Sequence, residues 1–204
     1  MGQEAFCQKH GLHRTRHLLW QCRGLGLAPF LVAVACGALA QTSPPSVVQT
    51  LDVAPAWGGH SVGYCLLTKG EHQYVAYYDH ERRMTIAMRR LTSSNWTFRR
   101  LPQRVNWDSH HYITMAMDRA GCLHVSGNMH SDPLVYFRTE EPYDLATLRR
   151  ERAMVGEQES QCTYPQFLFN GEGDLFFLYR FGKSGENEAT KHKFRLKLLE
   201  NSSV

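Results

Sequence analysis

No two cysteines stand in a C-x-x-C spacing, no run of Lys and Arg or of Asp and Glu exceeds a pair, and helical periodicity is almost absent. Each gap excludes something. Without paired cysteines there is no sequence sign of a structural zinc site. The scattered Lys and Arg, with a net charge of only +4, argue against a nucleic-acid partner. Hydrophobic residues at 43% and charged residues at 21% exclude a disordered chain. What the 204 residues hold in excess is histidine, eleven in all, and four of these fall between Trp107 and His130.

The one long apolar run, Gly24 to Ala40, follows a basic region of Lys9, Arg14, Arg16 and Arg23. It is interrupted by Pro29 and falls short of the roughly 20 residues that cross a bilayer. It ends in Ala38-Leu39-Ala40, a small-x-small pattern that signal peptidase reads, so cleavage is expected before Gln41. Residues 1–40 are therefore read as a signal peptide, and the mature protein as secreted or periplasmic with no membrane partner after cleavage. A short membrane anchor or a misplaced start codon are the alternatives, and a lipoprotein at Cys36 is disfavoured by Ala33. Export would leave Cys65, Cys122 and Cys162, an odd number whose pairing the sequence leaves open.

Beyond a Ser/Pro linker the chain repeats. Trp57-Gly-Gly-His60 recurs as Trp107-Asp-Ser-His110, fifty residues later. Each leads into an apolar strand ("VGYCLL", "YITMAM"), a polar turn ("TKGEH", "DRAGC") and a second strand ("QYVAYYD", "LHVSGN"). "RMTIAMRRL" and "LVYFRTEE" add a third strand, and a third copy runs through "CTYPQFLF", "NGEGD" and "LFFLYR". Strand, turn and strand at this period predict an all-β chain of β-propeller blades, about three in an incomplete ring, where closure typically takes four to eight. A β-sandwich of short strands is the alternative. The domain reading is residues 1–40 signal peptide, 41–56 linker and first strand, 57–186 blades, and 187–204 an atypical C-terminal tail. The one stretch with helical spacing, "DLATLRRERAM", is placed in a connection between blades. Three blades leave an open edge, so a fragment is inferred, inactive on its own.

Radial repetition also bears on the histidines. Residues at the ends of inner strands converge on the mouth of a propeller's channel. His110 precedes the first strand of its blade, His130 lies just beyond the second, Tyr164 opens the next, and Arg180 ends its second strand. One face of the wheel is therefore expected to gather these four, while His60, His72, His80 and His124 are read as structural. No metal-ligand set is read, and any cofactor is left unassigned.

"HSVGYCLLTKGEHQYVAYYDHERRMTIAMRRL", "WDSHHYITMAMDRAGCLHVSGNMH" and "CTYPQFLFNGEGDLFFLYRFGKSGE" resemble the BNR-repeat-containing family that includes the ulvan lyases. The resemblance covers about His60 to Glu186. It implies a seven-bladed propeller that cleaves an acidic polysaccharide by β-elimination, with His110, His130, Tyr164 and Arg180 in the active site. Arg180 and His130 would neutralise the uronate carboxylate, with Asn128 and Trp107 as further substrate contacts. His110 and Tyr164 would divide the roles of base and acid, and His111 is read as a spectator. A carbohydrate-binding or inactive propeller is the rival reading. A sialidase-type hydrolase is disfavoured because "TSSNWTF" lacks the Asp and Gly of its sequence box.

Overall fold

In a computed structural model, residues 46–59, 61–154, 156–183 and 193–199 are described. The expected signal peptide and His60 lie outside them. The chain divides into units Met1–Ser46 and Val47–Val204, and all that follows concerns the second. Among the described residues, no helix is long and apolar enough to cross a membrane.

The first sheet is an antiparallel meander of β1 (Cys65–Lys69), β2 (His72–Tyr78), β3 (Arg83–Arg90) and β4 (Thr97–Arg104), paired in that order. Gly70, at φ +56°, turns β1 into β2 in a conformation that suits a residue without Cβ. The second sheet contains β5 (Ile113–Met117) and β6 (Leu123–Gly127). After a short strand β7 (His130–Asp132), it continues with β8 (Tyr136–Thr139) and β9 (Leu148–Glu151). The third is built from β10 (Cys162–Phe169), β11 (Leu175–Phe181) and β12 (Lys193–Leu199), with β7 on the far side of β10.

These are three propeller blades, as the repeat implies. One strand from each sheet, β1, β5 and β10, meet in space, with β5 between the other two. Burial records that placement. β6, in the middle blade, is buried at all five positions, because sheets cover both its faces. β11 alternates instead: Leu175, Phe177 and Tyr179 are buried, while Phe176, Leu178 and Arg180 are half-buried. Tyr74, Met84, Ile86, Leu123, Val125 and Phe177 are among the largest fully buried side chains of the shared core. The rings of Trp57 and Trp107, the repeated tryptophans, meet edge-on at 5.5 Å.

Four local expectations change. "DLATLRRERAM" is not a helical connection: a 3-10 turn at Leu145–Thr147 leads directly into β9, the outer strand of the second blade. Asp144 caps the turn by accepting from the Ala146 N–H, and Leu148 then turns its side chain inward as a strand residue. Residues 46–56 contain no strand; Ala56 makes an isolated bridge to Asp79. His130 follows the second strand of its blade, as expected, but as the first residue of β7, which pairs with the following blade and not with its own. Residues 193–199, read as part of an atypical tail, form β12 and pair with β11 along its whole length.

Candidate active site

The loop into β5 is organised by Asp108. Its Oδ1 accepts the backbone N–H of His110 at 2.9 Å, a local turn that Asp adopts readily. The same oxygen lies 2.6 Å from His110 Nδ1, and Oδ2 lies 2.5 Å from His130 Nδ1. Asp132 makes the matching turn at the other histidine, its Oδ2 accepting the His130 N–H at 2.9 Å. The two imidazoles stack, with centroids 3.9 Å apart and planes at 29°.

β10 and β11 supply the rest. The β10–β11 register shifts between Thr163 and Gln166, and within that bulge Tyr164 takes φ +58°. The bulge re-aims the Tyr164 ring toward His110, at 5.4 Å between centroids, and the Arg180 guanidinium lies over the same ring, 5.1 Å from its centroid. Arg180 is further steadied by donating to Thr163 Oγ1 at 3.1 Å, and that oxygen also accepts the Ser131 N–H at 2.8 Å. Asn128 and Ser131, at φ +61° and +62°, share with Tyr164 a left-handed backbone costly for residues with Cβ. Three such residues around one cluster are the mark of a constrained site.

Arg180, Tyr164, His110 and His130 thus form a continuous row in that order, with Asp108 behind the two histidines. Two other candidates stand apart from that row in role. Asn128 donates to the Arg104 carbonyl at 3.3 Å and accepts from Tyr78 Oη at 3.3 Å, so its amide braces the β6–β7 connection. Trp107 is 72% exposed, with its ring against Trp57. His111 is buried, not peripheral: its carbonyl accepts Tyr78 Oη at 2.6 Å and its Nε2 is 3.7 Å from Asp132.

Burial opposes the charge on Asp108, but hydrogen bonds from His130 and from the His110 backbone and ring outweigh it and hold the carboxyl well below the usual range. Burial pulls the His111 imidazole below its ordinary value, against the carboxylates of Asp108 and Asp132. Burial, aided by Tyr164, pushes the Tyr112 phenol up to about 12, which keeps it neutral.

Asp108 is the member the sequence reading missed. Its signal was the Asp-Ser-His spacing itself, in which a side-chain acceptor sits two residues before a histidine it can orient. Asp108, His110 and His130 are also a group able to hold a metal ion, one ligand atom each within 4.8 Å of one another. The two Asp108 oxygens lie within hydrogen-bond distance of the two Nδ1 atoms. Elsewhere His124 is buried between Tyr136 Oη (2.7 Å) and Asp118 Oδ2 (3.0 Å), and His72 stacks on Tyr143. Among the described residues Cys65, Cys122 and Cys162 form no disulfide with one another, and Cys162 Sγ donates to the Glu159 carbonyl at 3.6 Å.

Comparison with known proteins agrees with this architecture. No curated protein matches the chain. Among solved structures, polysaccharide lyase Uly1 superposes with a TM-score of 0.53 at 15% identity, over 77% of this chain and 42% of its own. The chain therefore spans less than half the length of that lyase, and at this identity the likeness is one of fold. A PL25 ulvan lyase gives a TM-score of 0.46 at 18% identity over 65% of this chain and 34% of its own. An ulvan lyase of that family bound to -[GlcA(1-4)Rha3S]- gives 0.48 at 16% over 72% and 36%. The family model described as "BNR repeat-containing family member" matches residues 72–200, so the chain belongs to the BNR repeat-containing family.

Proposed function

We propose that the protein is a secreted polysaccharide lyase that cleaves a uronate-containing glycan by β-elimination. The observation that carries the reading is the row of His110, Tyr164 and Arg180, which joins two proton-transfer groups to a cation. β-Elimination removes the weakly acidic C5 proton of a uronate, expels the 4-linked sugar oxygen and leaves a C4–C5 double bond. The negative charge that develops runs into the carboxylate, which must be neutralised first. Arg180 supplies a planar, permanently charged fork for that carboxylate, and His130 a second polar contact. His110 and Tyr164 divide proton abstraction and leaving-group protonation between them, since both reach the same space. The exposed Trp107 offers a flat apolar face for a sugar ring.

Uly1, whose fold this chain shares in part, is a polysaccharide lyase, which supports the reaction class. A second reading, a carbohydrate-binding propeller without catalysis, is favoured by the exposed Trp107, whose flat apolar face can hold a sugar ring without any chemistry. The deciding experiment is incubation of the protein, expressed from its full reading frame, with several uronate-containing polysaccharides. The ultraviolet absorbance of the new conjugated double bond is expected to rise. Binding with no unsaturated product from any of them overturns the lyase reading and leaves the binding module.

A further inference from the structure

Asp108, behind the row, lies within hydrogen-bond distance of a ring nitrogen of both histidines, and its position constrains where their protons sit. An ionised carboxylate accepts hydrogen bonds and donates none. Nitrogens 2.6 Å and 2.5 Å from its two oxygens must therefore carry hydrogen. We propose that Asp108 is a positioning residue that holds the proton of both His110 and His130 on Nδ1, making Nε2 the proton-accepting nitrogen of each neutral ring. The depressed carboxyl value of Asp108 has the same origin, because donors on both oxygens favour its ionised form.

The catalytic consequence rests on the lyase reading. Neutral His110 accepts a proton at Nε2, and the imidazolium that forms has its other N–H already on a carboxylate. His130 is constrained differently. With its Nδ1–H committed to Asp108, it donates to a uronate carboxylate only when it carries a second proton. One carboxylate thus serves two stacked imidazoles, orienting one for proton acceptance and supporting charge on the other.

Asparagine in place of Asp108 separates the two rings, because an amide has one accepting oxygen and one donating NH2. Oδ1 accepts two hydrogen bonds from His110, through its backbone N–H and its ring, whereas Oδ2 accepts from His130. In Asp108→Asn the amide oxygen stays toward His110 and the NH2 turns toward His130, whose Nδ1 must then accept.

The experiment is two-bond 1H–15N correlation of the histidine rings in labelled protein, which reports the tautomer directly. In the wild type both rings are expected as Nδ1–H. In Asp108→Asn, His110 keeps that form and His130 switches to Nε2–H. Asp108→Ala releases both rings, with kcat falling about 10- to 100-fold, as for loss of an orienting partner. A wild-type ring found as Nε2–H overturns the proposal whether or not the variants fold, and so does an Asp108→Asn protein with both rings unchanged. Wild-type rings both Nδ1–H in a protein that makes no unsaturated product sink the lyase reading alone. An active enzyme with an Nε2–H ring sinks this proposal alone.

Discussion

Replacing Arg180 by alanine removes three things at once: a hydrogen bond to Thr163 Oγ1 at 3.1 Å, a guanidinium 5.1 Å over the Tyr164 ring, and the cation proposed to face the substrate carboxylate. The first two are matters of stability. A hydrogen bond from a charged group contributes about 1.5–3 kcal/mol, and the partly exposed setting of Arg180 places the loss at the low end. Against a stability of roughly 5–15 kcal/mol, the variant stays folded. The third acts on the transition state, where losing one preorganised electrostatic partner costs about 10²–10³ in kcat. Arg180→Ala is therefore expected to melt only a few degrees below the wild type yet lose that much rate. Arg180→Lys keeps the charge without the fork and should fall between the two. Rates come from the absorbance of unsaturated product, stability from thermal melting by circular dichroism. Arg180→Ala with half the wild-type kcat would refute the role, and a large drop in melting temperature would show Arg180 to be structural.

Other consequences are independent of one another. A Cβ at Gly127 would stand 2.6 Å from the Tyr112 carbonyl oxygen and 2.9 Å from Ile113 Cα, both backbone, so Gly127→Ala should lower stability by about 1–3 kcal/mol in denaturant titration. Burial works against the charge on Asp118, but hydrogen bonds from His124 and the Cys122 N–H and the nearby Arg138 hold its carboxyl below the usual value. A depressed carboxyl stabilises the fold above the unfolded value of about 3.9 and stops doing so as pH falls through the native one. Asp118→Asn should thus be less stable than wild type at neutral pH, with the gap closing in acid; a gap that widens in acid would contradict this. Trp107→Ala should raise KM for polysaccharide and leave both kcat and the melting temperature nearly unchanged, because the ring is 72% exposed.

The blades were legible because their signals are local. Two-residue alternation in "LFFLYR", a glycine at each turn and the recurrence of Trp57 at Trp107 are written along the chain, and strand pairing follows from them. Local signals also misled. Leu145 and Leu148 stand three apart, which reads as helix, yet Leu148 pairs with Thr139 because β8 was waiting for an outer strand. "KFRLKLL" lacks the tryptophan and turn of the earlier copies, so its membership of the third blade rested wholly on pairing with β11.

For the site, residue types and their convergence on one face were readable from sequence: His110, His130, Tyr164 and Arg180 all sit at strand ends, and radial repetition brings such ends together. What only the tertiary structure decided is how they are held. β7 leaves the second blade to pair with the third, which places His130 against His110; nothing in the sequence specifies a three-residue strand that changes sheets. The bulge at Tyr164 depends on the register between β10 and β11, a property of two segments rather than one. Asp108 shows the difference most plainly. Its hydrogen bond to the backbone two residues on is short-range and readable from sequence. Its bond to His130, twenty-two residues away, exists only because the loop into β5 meets β7, a strand of a different sheet.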